Sequence, residues 1–447
     1  MKIKFHGAAG TVTGSCYELT PDSGAPVLID FGMFQGPEKI DSLNREPLQF
    51  DPSSLDGVVL THAHLDHCGR LPLLVKNGFS GPVYMTPATR TLVELVLYDS
   101  ARIAERNEES ATPLYAVADV ERLLGLVRSI PYHQSFSFRS FVCEFYDAGH
   151  ILGSASVLVR DKSGKSVAFS GDLGNSPQDI EKPTEPIKSA NVAILESTYG
   201  DKAHPKTDAK DALKREIQLV EKSDGALLIP AFSLERTQVL LHYIDHLKKA
   251  GEVARETPVY LDSPMGSAAT DIYRKFSNLY SSTLSKHSRN DDPFDFPGLT
   301  VTENSNASKR IKNKKGVKVI IAGSGMMSGG RILNHAIDFL PRGDTRLVIV
   351  GYQAEGTIGR QLLEGTGSVQ IYGKTVSVAA KVTEITSMSA HADKPKLLSW
   401  AKAVHGVKTI FLTHGEDVQR STLADMLRKE SAATEIYAPK LYEEYHV

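Results

Sequence analysis

The chain has 447 residues, too many for one ordinary core, so two or three domains are expected. Hydrophobic residues at 41% and charged residues at 23% are ordinary globular values, and a formal net charge of −2 leaves any nucleic-acid contact to a local patch. Cys16, Cys68 and Cys143 are widely spaced without a CxxC, which argues against a disulfide framework and fits a reducing cytoplasm, and neither a signal-peptide core nor an apolar run of the ~20 residues that span a bilayer is present.

Residues 1–200 carry mainly strand signals with a few helices. Val27, Leu28 and Ile29 form an apolar run that ends in Asp30 and a phenylalanine–glycine pair. The acid is placed to orient a ligand histidine from behind, or to serve as a turn residue. Val58, Val59 and Leu60 form a second such run, and it opens into Thr61, His62, Ala63, His64, Leu65, Asp66 and His67. This HxHxDH pattern packs three imidazoles and a carboxylate into six residues with no compensating cations beside them. Such donors suit borderline divalent metals, and one loop of this kind can serve two neighbouring ions.

A helix is expected over 66–76, closed by Gly78, and a longer one from Pro87 to about Arg106, with Leu92, Leu95, Val96 and Ile103 near helical spacing. Residues 136–146 alternate in part, as a strand does. Two further strand ends carry chemistry: His150 lies in a glycine-flanked loop, and Asp172 follows the run Val167, Ala168, Phe169. Glu196 closes the apolar run 192–195 in the same way.

From 201 to 375 short apolar strands alternate with helices, which predicts a parallel sheet covered by helices and inserted into the first domain. Helices are expected at 234–249, 266–279, 331–339 and 357–364. Residues 281–315 are polar and poor in structure signals, and end in the basic run 309–315, either a solvated loop or a phosphate-backbone contact. The glycine-rich stretch 323–330 precedes a helix, an arrangement that serves an anion or a plain N-cap. After 375 the chain returns to its first style. His391 sits in a polar loop, a helix is expected over 395–402, and the strand 409–412 runs into His414.

Taken in order, HxHxDH, Asp172, the stretches 230–236, 262–265, 323–331 and 351–357, the Ser389-Ala390-His391-Ala392-Asp393 loop and His414-Gly415-Glu416 resemble the β-CASP nucleases of the metallo-β-lactamase superfamily over nearly the whole chain. The resemblance implies an α/β fold: an αββα metallo-β-lactamase sandwich at 1–200 and 376–447, with an inserted β-CASP domain of mainly parallel sheet at 201–375. It further implies two zinc ions, with manganese as a substitute. His62, His64 and His150 would hold the first, Asp66, His67 and His414 the second, and Asp172 would bridge them. Asp66 and Asp30 join His391 and Glu196 as the residues tied to catalysis.

The expected reaction is hydrolysis of single-stranded RNA. His391 would give the leaving 3′ oxygen its proton, and Glu196 would hold the ring in place. His414 tilts the substrate toward RNA, because DNA-processing relatives typically carry valine there. Ser324, Ser389 and Arg331 are the expected substrate contacts. No membrane partner is implied, and a homodimer is compatible. A DNA nuclease of the same fold, a small thioester or lactam hydrolase and a non-catalytic RNA-binding subunit are the alternatives. One departure is Glu235, where relatives commonly carry glycine beside a helix start.

Overall fold

The computed structural model describes residues 1–106, 112–175, 179–302 and 304–447. The chain divides into two compact units, 1–203 with 391–447, and 204–390.

The first unit holds two seven-stranded mixed sheets. In one, strands Val27–Ile29, Gly57–Val59, Val83–Met85 and Val127–Ser129 run parallel in that order. Strands Tyr17–Thr20, Lys2–Phe5 and Glu444–His446 continue it antiparallel. In the other, Ser166–Phe169, Val192–Glu196, Thr409–Thr413 and Glu435–Tyr437 run parallel. Strands Ala155–Asp161, Phe141–Asp147 and Phe136–Ser137 extend its far side antiparallel.

Ile3, Phe5, Leu19 and Ile29 from the first sheet pack with Phe145, Val157, Phe169 and Phe411 from the second in one apolar core. The outer face of the second sheet is covered by helices Lys394–Ala403 and Asp417–Glu430, through Leu397, Trp400, Leu423 and Leu427. Helices Leu71–Lys76, Pro87–Arg106 and Val117–Leu126 accompany the first sheet. The result is the expected helix–sheet–sheet–helix layering.

The second unit is built on a six-stranded, wholly parallel sheet in the order Leu299–Val301, Val259–Asp262, Lys318–Ala322, Ala226–Pro230, Thr345–Ile349, Lys381–Glu384. Its central strands are buried along their whole length, which is why they are continuous apolar runs rather than alternating ones.

Several local expectations are corrected. The helix expected over 66–76 is two, Leu65–Cys68 and Leu71–Lys76, because Pro72 cannot continue a ladder from the first and instead opens the second. The strand expected over 136–146 is a hairpin, closed where the Phe138 amide donates to the Phe141 carbonyl. Residues 281–315 are not structureless: helices Ser282–Ser288 and Ser305–Arg310 form there, capped by Ser281 and Asn304. Leu284, Phe294 and Ile311 anchor that segment by burial. The second compact unit spans 204–390, in which Ser368–Ile371 pairs with Lys374–Ser377 and Lys381–Glu384 pairs with Thr345–Ile349. Glu235 caps helix Arg236–Lys249 with φ of +67°, the left-handed conformation that explains a glycine preference at this position.

Candidate metal centre

The candidate ligands of the first unit follow the C-terminal ends of strands, with Asp66 and His67 carried on the short helix Leu65–Cys68 that comes after Gly57–Val59. Parallel pairing puts Ile194 beside Phe169 and Thr413 beside Glu196. The register therefore delivers Asp172, Glu196 and His414 to the same sheet edge. Close approach of two loops is needed there. A side chain at Gly174 would stand 1.7 Å from the Gly149 carbonyl oxygen, so only glycine lets the Asp172 loop pass the His150 loop.

Asp30 organises the HxHxDH loop from behind. It is fully buried. Its Oδ1 accepts the Thr61 amide at 2.8 Å, and its Oδ2 accepts the Thr61 hydroxyl at 2.8 Å. The same Oδ2 lies 2.7 Å from His67 Nδ1, which fixes that nitrogen as the donor and leaves Nε2 to face the centre. The Thr61 hydroxyl, having donated to Asp30, accepts from His62 Nδ1 at 3.1 Å, so His62 Nε2 also faces inward unprotonated. Thr198 repeats the device: its hydroxyl donates to the His414 carbonyl at 3.2 Å and receives His414 Nδ1 at 3.0 Å. These two threonines were not singled out in the sequence. Their only local signal is a hydroxyl beside a strand-end ligand.

The freed nitrogens converge. His64 Nδ1 lies 3.1 Å from His62 Nε2 and 3.3 Å from His150 Nε2. With Asp172 these three form a group whose donor atoms all lie within 4.8 Å of one another. Asp66, His67 and His414 form a second such group, with His414 Nε2 3.3 Å from both His67 Nε2 and Asp66 Oδ2. Asp172 stands between them. Its Oδ2 is 3.5 Å from His62 Nε2 and 3.7 Å from His150 Nε2, while its Oδ1 is 3.3 Å from His67 Nε2 and 3.7 Å from His414 Nε2.

This donor set fits divalent cations. Asp172 Oδ1 is buried and makes no hydrogen bond among the described residues. Burial pushes the Asp172 carboxyl up, but the imidazoles of His414, His67 and His62 more than offset this and hold it well below its usual range. Burial, with the charge of His67, pushes His62 well below the ordinary imidazole range, and burial lowers His64 to about 4. His67 goes the other way: burial opposes its proton, yet Asp172 and Asp30 raise it well above the usual value. Several unprotonated nitrogens thus face two carboxylates that draw positive charge, and a cation satisfies both.

A third group adjoins these: Asp172, Glu196, His391 and His414. His391 Nδ1 is 3.3 Å from Glu196 Oε2 and 4.0 Å from Asp172 Oδ2. Glu196 is immobilised by the Leu173 amide, which donates to Oε1 at 2.7 Å. The His391 loop is tied down where the Ala392 amide donates to the Leu173 carbonyl. Burial disfavours the His391 proton, but the Glu196 carboxylate restores it and pushes the ring up to about 9.

The other expected substrate contacts belong to the second unit. Ser324 Oγ accepts the Ser328 amide at 3.1 Å, and Ser389 is buried, its amide donating to Thr386. Arg331 is not simply presented to solvent. Its Nη1 donates to Asp262 Oδ1 at 2.6 Å and to the Thr302 carbonyl at 3.2 Å. Asp262 also receives His335 and Ser308 at 2.6 and 2.5 Å, so it is the hub of a buried network.

Comparison with known proteins is consistent across the chain. Residues 9–231 match the metallo-beta-lactamase superfamily, 237–362 the Beta-Casp domain, and 375–439 the Zn-dependent metallo-hydrolase RNA specificity domain. The chain is 36% identical to Ribonuclease TTHA0252 of Thermus thermophilus, covering 96% of both proteins. It is 29% identical to an RNase J-like protein of Methanocaldococcus jannaschii over 94% of each, and 30% identical to RNase aCSPSF2 of Saccharolobus solfataricus over 98% of this chain and 84% of that one. A crystal structure of a protein of unknown function from Enterococcus faecalis shares the fold at a TM-score of 0.53 and 11% identity, covering 99% of both chains.

Proposed function

We propose that this chain, which belongs to the β-CASP family of the metallo-β-lactamase superfamily, is a metal-dependent ribonuclease that hydrolyses phosphodiester bonds of single-stranded RNA. The observation that carries the reading is the position of Asp172, with one carboxylate oxygen toward each of two histidine-rich donor groups. His62, His64 and His150 would hold one zinc ion, Asp66, His67 and His414 another, and Asp172 would be shared. Manganese is chemically acceptable to the same ligands. Ions bound there would polarise a phosphate oxygen and supply a water acidic enough to attack at neutral pH.

The remaining work falls to the chain's own side chains. Asp30, Thr61 and Thr198 aim the inward nitrogens of His67, His62 and His414 by engaging the opposite ring nitrogen of each. His391, held protonated by Glu196, gives its proton to the departing 3′ oxygen. Glu196 acts through His391, and its carboxylate is otherwise held by the backbone amides of Leu173 and Thr198.

RNA is favoured over DNA by the RNA specificity match over 375–439, by the ribonuclease names of the relatives, and by His414 at the position where resembling DNA-processing enzymes carry valine. All three cysteines are buried free thiols, which suits the reducing cytoplasm. Among the described residues no helix is long and apolar enough to cross a membrane.

The test is to incubate purified protein with labelled single-stranded RNA, labelled single-stranded DNA and a chromogenic lactam. Cleavage of RNA in preference to the other two supports the reading, and preference for DNA or lactam overturns it. An RNA labelled at its 5′ end separates internal cutting, which leaves a ladder, from stepwise 5′ removal, which leaves mononucleotide.

A further inference from the structure

The second unit contains a cluster that the proposed reaction does not use. His242 and His246 are four residues apart on helix Arg236–Lys249 and so share a face. His287, from helix Ser282–Ser288, meets them. Ring centroids lie 4.3 Å apart for His242 and His246, 4.9 Å for His246 and His287, and 5.4 Å for His242 and His287. One nitrogen from each falls within 4.8 Å of the others.

Hydrogen bonding among the histidines accounts for only part of this. His246 Nε2 and His287 Nδ1 are 2.9 Å apart, which a single shared proton would explain. His242 has no such explanation. Its side chain is fully buried, yet among the described residues neither ring nitrogen has a hydrogen-bond partner. Burying an imidazole with neither nitrogen satisfied is costly, and natural cores rarely tolerate it without an unseen ligand.

The surroundings suit a cation. His287 Nε2 lies 3.2 Å from Asp245 Oδ2, a fully buried carboxylate. Donation to Asp245 frees Nδ1 for an ion, the relay in which a carboxylate orients a metal-bound histidine. Lys249 Nζ also approaches His287 Nε2, at 3.0 Å, but it is held by Asp245 at 2.8 Å and Asp291 at 2.6 Å. Asp245 and Asp291 thus offset the Lys249 ammonium beside His287, while burial and the charges of Lys210 and Lys249 keep the His242 ring neutral and able to donate a lone pair. Nitrogens on one tetrahedral zinc stand roughly 3.3 Å apart when each bond is about 2.0–2.1 Å, so the His246–His287 pair, at 2.9 Å, needs to open by only a few tenths of an ångström.

We propose that His242, His246 and His287 bind one divalent transition-metal ion, zinc in the first instance, which fastens the short helix Ser282–Ser288 to helix Arg236–Lys249. Three imidazoles leave a fourth position for water, and the set suits zinc, cobalt or nickel rather than magnesium or calcium. The site lies wholly within the second unit and does not depend on the proposed nuclease centre.

The experiment uses full-length protein purified without a metal-affinity tag, loaded with zinc and passed through metal-free gel filtration. His246→Gln combined with His287→Gln should lose about one zinc per chain relative to wild type. Equal zinc content in the two proteins overturns the proposal. Because that variant could fold poorly, a second chain is used in which His62→Gln, His64→Gln, His67→Gln, Asp172→Asn and His414→Gln remove most donors of both groups in the first unit and the second unit is untouched. It should still take up about one cobalt ion and develop the visible absorption of a nitrogen-ligated, four-coordinate site. Failure of this chain to bind cobalt, with its circular dichroism intact, overturns the proposal independently.

Discussion

The Glu196 carboxylate reaches His391 Nδ1 at 3.3 Å across 195 positions of sequence. The contact joins a strand end to a loop at the start of the C-terminal segment, and both ends are pinned: Leu173 donates to Glu196 from one side and accepts the Ala392 amide on the other.

If His391 protonates the leaving oxygen, His391→Ala should reduce cleavage by on the order of 10²–10⁴ while metal content is unchanged. An RNA with sulfur in place of the bridging 3′ oxygen has a leaving group that needs no proton. The variant should recover much of its rate on that substrate, whereas Asp172→Ala should not. Absence of rescue would make His391 a phosphate-binding residue instead.

Glu196→Gln should act as a weaker copy of His391→Ala, with a diagnostic pH profile. The acid form of His391 is the active one, so rate falls as pH rises through its pKa. Glu196 is the main group raising that pKa to about 9, so its neutralisation must lower it. The alkaline limb of the rate profile should therefore move to lower pH in Glu196→Gln, and an unmoved limb rejects the assignment.

Asp172→Ala should abolish activity and reduce the metal held by the first unit's centre from roughly the two ions of a two-metal site. Far-UV circular dichroism should hardly change, because the apolar core between the sheets does not include this residue. Global unfolding of the variant would show that the centre is structural.

Asp30→Asn tests the support behind the ligands. It leaves every ligand position intact but removes the charge that fixes His67 Nδ1 as donor and that raises its basicity. Chelator competition should reveal a loss of about 10–100-fold in affinity for one ion. Unaltered affinity would reduce Asp30 to a loop anchor for Thr61.

The basic run tests the source of RNA affinity. Lys309, Arg310, Lys314 and Lys315 are exposed; Lys312 is exposed too but is paired with Asp338 at 3.2 Å. Replacing the first four cations by glutamine should weaken RNA binding without sequence preference. The log–log salt slope should flatten by up to about 0.7 per lost phosphate contact. Lys312→Gln alone should do less, and an unchanged slope in the fourfold variant assigns the run to solvent.

Much of this protein is legible in its sequence, because its signals are local. Apolar runs that stop at His62, Asp172, Glu196 and His414 announce buried strands opening into a polar edge, and the HxHxDH loop holds three imidazoles and a carboxylate within reach of one another whatever the rest of the chain does. The strand–helix alternation after 201 likewise belongs to a parallel sheet, since strands buried on both faces cannot alternate. Tertiary structure decided what depends on register. Which side chains share a sheet edge follows from the parallel pairing of Val192–Glu196 with Ser166–Phe169 and Thr409–Thr413, and no periodicity encodes that pairing. The roles of Thr61 and Thr198 emerge only when a hydroxyl is seen to have one donor direction already used. The short helices within 281–315 hold through single buried anchors such as Leu284 and Ile311, too few for a pattern. The His242, His246 and His287 cluster needs two helices to meet, and sequence spacing supplies only the pair on the first of them.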